Sequence, residues 1–329
     1  MLPGRCRVAS GTLLPVIRRA IRPPAALPVV LLLLGALAAG CGPADQQRTA
    51  ARRPAAGGTP ATPPTSTSTA TAADSRSVPV RSGFVAFGDF GGGPAQGAVA
   101  AAMSRWAAGH RVDALVTTGD NVYERGEPQR FGAQLDRPYQ RLRRTRPLWV
   151  TLGNHDVTAG HGADQLRHLG LPALPYVRTL PGVQLLFLDG NRPDLAQAAW
   201  LTARLARPGP RFRVVVFHQP AWSCSVHGSN REVDRWWVPV LERYRVALVL
   251  NGHDHNYQRF VSTAGVSYVV TGGGGKQLYP VARCPSGTPR RVAGVARNHF
   301  TAVEVRQRSL TVRAVATDGK VIDRTVVRR

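Results

Sequence analysis

Short apolar runs rich in β-branched residues recur along the chain from residue 83 onward, and most are separated by helical patterns. Seven such runs predict strands buried on both faces, at 84–87, 113–118, 148–152, 183–188, 213–217, 246–250 and 266–270. Helices are predicted at 95–109, 128–144, 194–206 and 231–244. The alternation predicts an α/β fold with a largely central sheet, followed after residue 300 by two or three antiparallel strands.

Five of these predicted strands are followed directly by side chains that can bind metal. The segments are GDFG (88–91), GDNVY (119–123), GNHD (153–156), HQP (218–220) and GHDH (252–255). One aspartate or histidine after a strand is usually a cap or a turn residue. Five such segments share one edge of the predicted sheet, however, and ligands bind at that edge in α/β proteins. Together they offer carboxylate, amide, phenol and imidazole donors, which suit a pair of first-row metal ions.

The ordered series of segments resembles the calcineurin-like metallophosphoesterase family over about residues 83–280. Tyr123, three residues after Asp120, and the stretch FHQPAWSCSVHGSN (217–230) resemble the purple acid phosphatase branch, which includes tartrate-resistant acid phosphatase. The resemblance implies an α/β fold of the metallophosphoesterase type. Such a fold is a β-sandwich flanked by helices, with the metal site at the carboxyl ends of the strands.

The resemblance also implies a role for each matching residue. The first metal would be held by Asp89, Asp120, Tyr123 and His255, and the second by Asp120, Asn154, His218 and His253, with Asp120 bridging. His155 would face the substrate and assist the leaving group, and His227 matches a histidine of the second sphere. Asn256 and Tyr257 lie beside the site in sequence and are predicted to contact substrate. Asp254 is interpreted as a turn residue or as a residue that supports the ligands without binding metal.

These features predict an enzyme, a metal-dependent and acid phosphatase-like phosphoesterase. The predicted reaction is hydrolysis of small-molecule phosphate esters, with monoesters preferred, through attack by a metal-bound hydroxide. Three anionic donors at the first site, counting the bridge, favour iron(III) there beside a divalent iron, zinc or manganese ion. Two alternatives stay open: a phosphodiesterase or nucleotide hydrolase on the same site, and a non-catalytic lipoprotein that binds metal or phosphate.

Residues 1–41 have the pattern of an export signal, with five arginines followed by an apolar run that is too short for a stable membrane span. The ending LAAGC resembles a bacterial lipoprotein box, which would make Cys41 the lipidated residue; ordinary cleavage and an uncleaved anchor are the alternatives. Residues 42–80 are rich in Ala, Thr, Pro and Ser and predict a disordered tether. Residues 81–329 form the predicted catalytic domain of a membrane-anchored extracytoplasmic protein, or otherwise of a secreted one.

The remaining cysteines and the charge balance agree with export. Cys224 and Cys284 lie in loop-like sequence, and a disulfide between them is predicted, with two free thiols as the alternative. The formal net charge is +24, about +19 without the first 40 residues, and almost all of it comes from arginine. This excess favours anionic substrates or surfaces, or only solubility. No basic and aromatic pattern indicates a dedicated nucleic-acid partner, and the oligomeric state is not predicted.

Overall fold

The computed structural model describes residues 79–329. The predicted export signal at 1–41, the lipidation site Cys41 and nearly all of the predicted tether at 42–80 lie outside the described residues. Within the described part of the chain, no helix is both long and apolar enough to cross a membrane.

Strands and helices alternate through most of the described chain. The strands are β1 (Ser82–Phe87), β2 (Ala114–Thr117), β3 (Leu148–Val150), β4 (Tyr176–Leu180), β5 (Val183–Phe187), β6 (Phe212–Val216), β7 (Leu248–Asn251), β8 (Tyr257–Val261), β9 (Ser267–Thr271), β10 (Arg291–Val295), β11 (His299–Val305), β12 (Ser309–Ala316) and β13 (Val321–Arg328). The helices are α1 (Gln96–Gly109), α2 (Gln140–Arg143), α3 (Asn154–Val157), α4 (Gly162–His168), α5 (Leu195–Leu205), α6 (Arg231–Trp236) and α7 (Val238–Arg243).

The strands form two sheets, as the resemblance to the metallophosphoesterases implied, whereas the alternation of elements by itself indicated a largely central sheet. The first has the order β13-β12-β11-β1-β2-β3, and the second has the order β10-β8-β9-β7-β6-β5-β4. Strands β1, β2 and β3 run parallel, as do β5, β6, β7 and β9. The three terminal strands pair antiparallel and extend the first sheet beyond β1, where Phe84 lies opposite Val303.

Three buried apolar clusters explain why the parallel strands read as continuous apolar runs. One fills the space between the sheets, with Phe84 of β1 and Val214 of β6 among its members. Another packs α1 on the outer face of the first sheet, where Met103 is buried, and the third packs α5, α6 and α7 on the second sheet. Because each sheet is covered on both faces, every position of β1 must be buried. The predicted helix-flanked α/β sandwich is confirmed.

The individual elements agree with the sequence pattern except where proline or weak periodicity intervenes. All seven predicted strands and the terminal antiparallel strands are present, whereas β4, β8 and β10 were not predicted. Helix α5 begins after Asp194, whose carboxylate accepts from Gln197 N at 2.9 Å, as expected of an N-cap.

Two segments that were predicted to form continuous helices are each divided into shorter elements. The segment 128–144 is divided into 3₁₀ turns at Pro128–Arg130 and Arg137–Tyr139, a π turn at Gly132–Asp136 and α2. Pro138 lies within it and lacks the N–H that a continuous helix requires. In the segment 231–244, Pro239 falls near the start of α7, and the chain breaks into α6 and α7 at Trp237.

A disulfide joins Cys224 to Cys284, as predicted. Cys224 is buried beside α6 and α7, and its carbonyl accepts from Ala282 N at 2.8 Å. The bond therefore ties the loop after β6 to the long loop between β9 and β10.

Replacement of both Cys224 and Cys284 by serine is expected to lower the free energy of unfolding by up to about 4 kcal/mol, because the disulfide closes a loop of 60 residues in the unfolded chain. Urea unfolding followed by circular dichroism measures the change. Wild-type protein unfolded in the presence of a reductant is the control and should give the same midpoint as the double variant. An unchanged midpoint in both samples would contradict the prediction.

Candidate metal centre

The side chains predicted to bind metal converge at the carboxyl ends of five strands. From the first sheet, Asp89 follows β1, Asp120 and Tyr123 follow β2, and Asn154 follows β3; from the second sheet, His218 follows β6, and His253 and His255 follow β7. Both sheets therefore contribute donors to one site.

The first set of donors surrounds one side of the Asp120 carboxylate. The Tyr123 hydroxyl donates to Asp120 Oδ2 at 2.7 Å and lies 3.3 Å from His255 Nε2. His255 Nε2 in turn lies 3.7 Å from Asp89 Oδ1. Ligand atoms of Asp89, Asp120 and His255 are all within 4.8 Å of one another, close enough to hold one ion.

The second set of donors lies on the side of the Asp120 carboxylate that carries Oδ1. His218 Nε2 is 3.5 Å from Asp120 Oδ1, 3.1 Å from Asn154 Oδ1 and 3.2 Å from His253 Nδ1. Asp120 is thus the one donor that both sets share, in the place where a bridging ligand is required. The seven predicted ligands lie in one connected cluster.

Backbone carbonyls orient two of the imidazoles toward this cluster. His218 Nδ1 lies 2.8 Å from Thr118 O, and His255 Nδ1 lies 2.7 Å from Gln277 O. An N–H at Nδ1 satisfies each carbonyl and leaves the lone pair of Nε2 directed at the other donors. This arrangement holds the rings in the tautomer that binds metal.

The electrostatics of the cluster favour bound cations. Burial and the neighbouring Asp120 carboxylate raise the pKa of Asp89 well above its usual range. Burial, followed by the charges of Asp120 and Asp89, also raises the pKa of the Tyr123 phenol. Burial lowers the pKa of His253 to about 2, so this imidazole is neutral. Crowded anionic oxygens beside neutral nitrogens are the donor set that a pair of cations stabilises, and the residues fit the implied ions.

Backbone strain coincides with three of the predicted ligands. Asp89, Asp120 and His253 adopt φ values of 58°, 52° and 72°, in the left-handed region that favours glycine. Gly153 allows close approach, because a Cβ there would overlap the Asp120 carboxylate. Non-glycine residues in this region cost free energy and cluster at functional sites.

His155 and His227 lie beside the cluster and outside both donor sets. The His155 ring lies 4.2 Å from the Tyr123 ring, centre to centre, and its Nδ1 is 2.6 Å from Glu124 O. The His227 ring stacks on His253 at 4.1 Å. Both rings therefore border the cluster, and their roles stay predictions.

Asn256 and Tyr257 do not lie where the sequence suggested, and their prediction as substrate contacts is wrong. Asn256 is fully buried, and its amide donates to Ser225 Oγ at 2.8 Å. Tyr257 is buried between the sheets, and its hydroxyl donates to Asp323 at 2.6 Å. After the histidine loop the chain enters β8, so that these side chains point into the protein.

Several residues that organise the site were missed or undervalued from sequence. Asp156 is fully buried and accepts hydrogen bonds from the backbone N–H groups of Asn121, Val122 and Gly153, which join the loops after β2 and β3. Asp254 accepts from His227 N at 3.0 Å and from the Ser223 hydroxyl, a turn role consistent with its interpretation. Asp156 already stands in the GNHD segment, but two of these three partners, Asn121 and Val122, are distant in sequence.

The two linked donor sets on a helix-flanked pair of sheets define an enzyme of the metallophosphoesterase type. Residues 83–257 match the calcineurin-like phosphoesterase family, which covers more than half of the chain. The chain belongs to this family and is a phosphoesterase hydrolase.

Individual relatives narrow the resemblance to the purple acid phosphatases. The chain is 29% identical to mouse (Mus musculus) tartrate-resistant acid phosphatase type 5, over 75% of this chain and 90% of the relative. It is 27% identical to purple acid phosphatase 4 of Arabidopsis thaliana, over 59% of this chain and 68% of the relative. The predicted branch is confirmed.

Solved structures support the fold. Yellow lupin (Lupinus luteus) purple acid phosphatase PPD1 superposes with a TM-score of 0.65 at 16% identity, covering 75% of this chain and 54% of that one. GAP50, described as the anchor in the inner membrane complex of Plasmodium, also gives 0.65, at 18% identity, covering 76% and 89%.

In cation-free protein, Asp89 is expected to make a contribution that lowers the free energy of unfolding as pH rises. The folded-state pKa of Asp89 is raised, so the metal-free folded protein retains a proton that the unfolded chain loses above about pH 4. The destabilising effect is therefore absent at lower pH and increases toward the folded pKa. Asp89→Asn removes this ionisation and should flatten the decline.

Urea unfolding of chelator-treated wild type and Asp89→Asn, measured at several pH values from about 5 to about 8, checks this expectation. The difference in free energy of unfolding between the two proteins cancels the contribution of titrating groups that do not interact with Asp89. A difference that stays constant across the range would contradict the raised pKa.

Proposed function

We propose that this protein hydrolyses phosphate monoesters at a dinuclear metal centre. The observation that carries the proposal is the Asp120 carboxylate, which has one oxygen in each of two donor sets. The first ion would be held by Asp89, Asp120, Tyr123 and His255, and the second by Asp120, Asn154, His218 and His253. When bound, the two ions supply Lewis acidity and lower the pKa of a water so that a nucleophile is available near neutral pH.

The protein's own groups would orient the ester and move the proton. His155 donates Nδ1–H to Glu124 O, which leaves Nε2 as the atom that can carry a proton to the leaving oxygen. Its ring is half-buried against Tyr123 and therefore has limited freedom. The exposed ring of His227 rests on His253, where it can contact the phosphoryl group or the leaving group.

The chemistry of the first donor set supports iron(III) there, with a divalent iron, zinc or manganese ion in the second position. Asp89, Asp120 and an ionised Tyr123 are three hard anionic oxygens, whereas two imidazoles, an amide and the bridge make up the second set. The phenol is buried among carboxylates, so its ionisation requires a strongly charged neighbour.

The site of action is proposed to be the outer face of the cell membrane. The proposal rests on the signal-like residues 1–41, with Cys41 as the lipid-bearing residue, and on the tether-like composition of 42–80. A disulfide between Cys224 and Cys284 is consistent with an oxidising compartment.

Metal-loaded protein is expected to hydrolyse 4-nitrophenyl phosphate with a higher kcat/KM than bis(4-nitrophenyl) phosphate. Asp120→Ala should abolish both activities, because it removes the donor common to both sets. His155→Ala should lower kcat by about a hundredfold or more and should affect an alkyl phosphate more strongly than an aryl phosphate, since the poorer leaving group depends more on protonation.

Release of 4-nitrophenol measures the aryl rates, and phosphate release measures the alkyl rate. A large preference for the diester would replace the monoester assignment by a phosphodiesterase. Full metal occupancy with no turnover of any ester would instead support a binding protein.

Iron-loaded wild-type protein is expected to show a visible absorption band from the phenolate of Tyr123 bound to iron(III). Tyr123→Phe removes the phenolate oxygen and should abolish the band, while iron content measured by elemental analysis reports whether the site is still filled. An active, colourless wild-type protein that holds only divalent ions would contradict the iron assignment and leave the phosphatase proposal intact.

A further inference from the structure

Lys276 places a positive charge at the edge of the candidate metal centre, and no role predicted from the sequence or proposed above accounts for it. The chain has only two lysines, Lys276 and Lys320, and all its other permanently cationic side chains are arginines. A lysine ammonium differs from a guanidinium because it is a compact charge with three N–H donors. Its contacts are therefore informative about the ligand it suits.

The backbone of Lys276 is fixed to the loop that carries Asp89. Lys276 N donates to Asp89 O at 3.0 Å, and two residues earlier Gly274 N donates to Gly88 O at 2.9 Å. A Cβ on Gly274 would overlap the Gly88 carbonyl, so glycine is required for the two loops to approach. The base of the lysine side chain is consequently held in place relative to the donor cluster.

The ammonium group rests on the ring of one of the predicted ligands. Lys276 Nζ lies 4.1 Å from the centre of the Tyr123 ring, a cation–π contact, and 3.1 Å from Glu124 Oε1. The Tyr123 hydroxyl belongs to the first donor set, and the Glu124 carbonyl accepts from His155. The lysine therefore borders the centre beside the histidine that faces the leaving group.

Glu124 is a displaceable partner of this ammonium. Its side chain is 67% exposed, whereas that of Lys276 is 21% exposed. Water screens an ion pair with so exposed a carboxylate, and the pair contributes little to stability. Among the described residues, Glu124 supplies the one side-chain acceptor recorded for Lys276, so at least one N–H remains for a ligand.

We infer that Lys276 is a specificity-determining residue that binds a carboxylate on the leaving group of a phosphate monoester. The partner already paired with the ammonium is a carboxylate, and a carboxylate of the substrate can take the place of Glu124. This inference rests on the proposed function, because it assumes that the phosphoryl group binds at the metal centre. The substrate class is then a phosphorylated hydroxy acid rather than a neutral alkyl or aryl phosphate.

Binding of two matched ligands that cannot be hydrolysed tests the inference independently of turnover. The probes are 3-phosphonopropionate and propylphosphonate, which differ by the terminal carboxylate, titrated calorimetrically into metal-loaded protein. In Lys276→Met, the affinity for 3-phosphonopropionate should fall about tenfold more than the affinity for propylphosphonate, because a charge-assisted hydrogen bond is lost. Lys276→Arg should restore part of the difference.

Two further variants separate the specific effect from a general loss of charge. Lys320→Met removes the other lysine, which lies in the exposed turn before β13, and should leave the ratio of the two affinities unchanged. Glu124→Gln removes the competing carboxylate and should strengthen the binding of 3-phosphonopropionate relative to propylphosphonate. The melting temperature of each variant reports whether the fold is intact.

The outcomes distinguish the two levels of the hypothesis. Equal losses for both phosphonates in Lys276→Met would overturn the carboxylate subsite and leave the phosphatase proposal standing. If metal-loaded wild-type protein binds neither phosphonate, the proposed phosphate site itself is overturned, and the subsite with it.

Discussion

The carboxylate of Asp120 is the group on which the rest of the site depends. One of its oxygens accepts from the Tyr123 hydroxyl, and the other accepts from His155 N and lies beside His218. Its backbone holds a left-handed conformation, and Gly153 has no side chain to obstruct it. Among the seven predicted ligands, Asp120 is the one whose side chain has an oxygen in each donor set.

The carboxylates around Asp120 repel one another electrostatically, and they are stabilised by hydrogen bonds from backbone N–H groups. Asp89 and Asp120 are buried close together, and burial raises the pKa of Asp156 to about 6, with Asp120 adding to the effect. Asp156 accepts hydrogen bonds from the backbone N–H groups of three residues in the two loops that it joins. Asp89 accepts from His253 N, and Asp120 accepts from His155 N, and both carboxylates also lie beside imidazole nitrogens. Asp156 thus joins the loops, whereas Asp89 and Asp120 lie where the predicted ions would supply positive charge to buried carboxylates.

Much of this arrangement could be predicted from sequence because it depends on local patterns. Strand after strand ends in glycine and a polar ligand, and a parallel sheet brings those ends together without further information. The disulfide between Cys224 and Cys284 could also be predicted from the sequence, because few cysteines remained to pair. Asn256 and Tyr257 were misplaced because proximity in sequence to a ligand does not determine whether a side chain points toward the site or into the protein. The division into two sheets was predicted from the family resemblance and not from the alternation of elements. The position of Lys276 beside Glu124 depends on a contact between distant segments, which no local pattern records.

The donors come from two different sheets, and this has a consequence for the kinetic stability of the protein. Asp89, Asp120 and Asn154 come from one sheet, and His218, His253 and His255 come from the other. Ions held between them act as removable cross-links across the sandwich, in parallel with the apolar layer that the sheets share. Separation of the sheets would require that each bound ion lose its ligands from one of them, so that occupancy of the proposed centre would also slow unfolding of the whole domain.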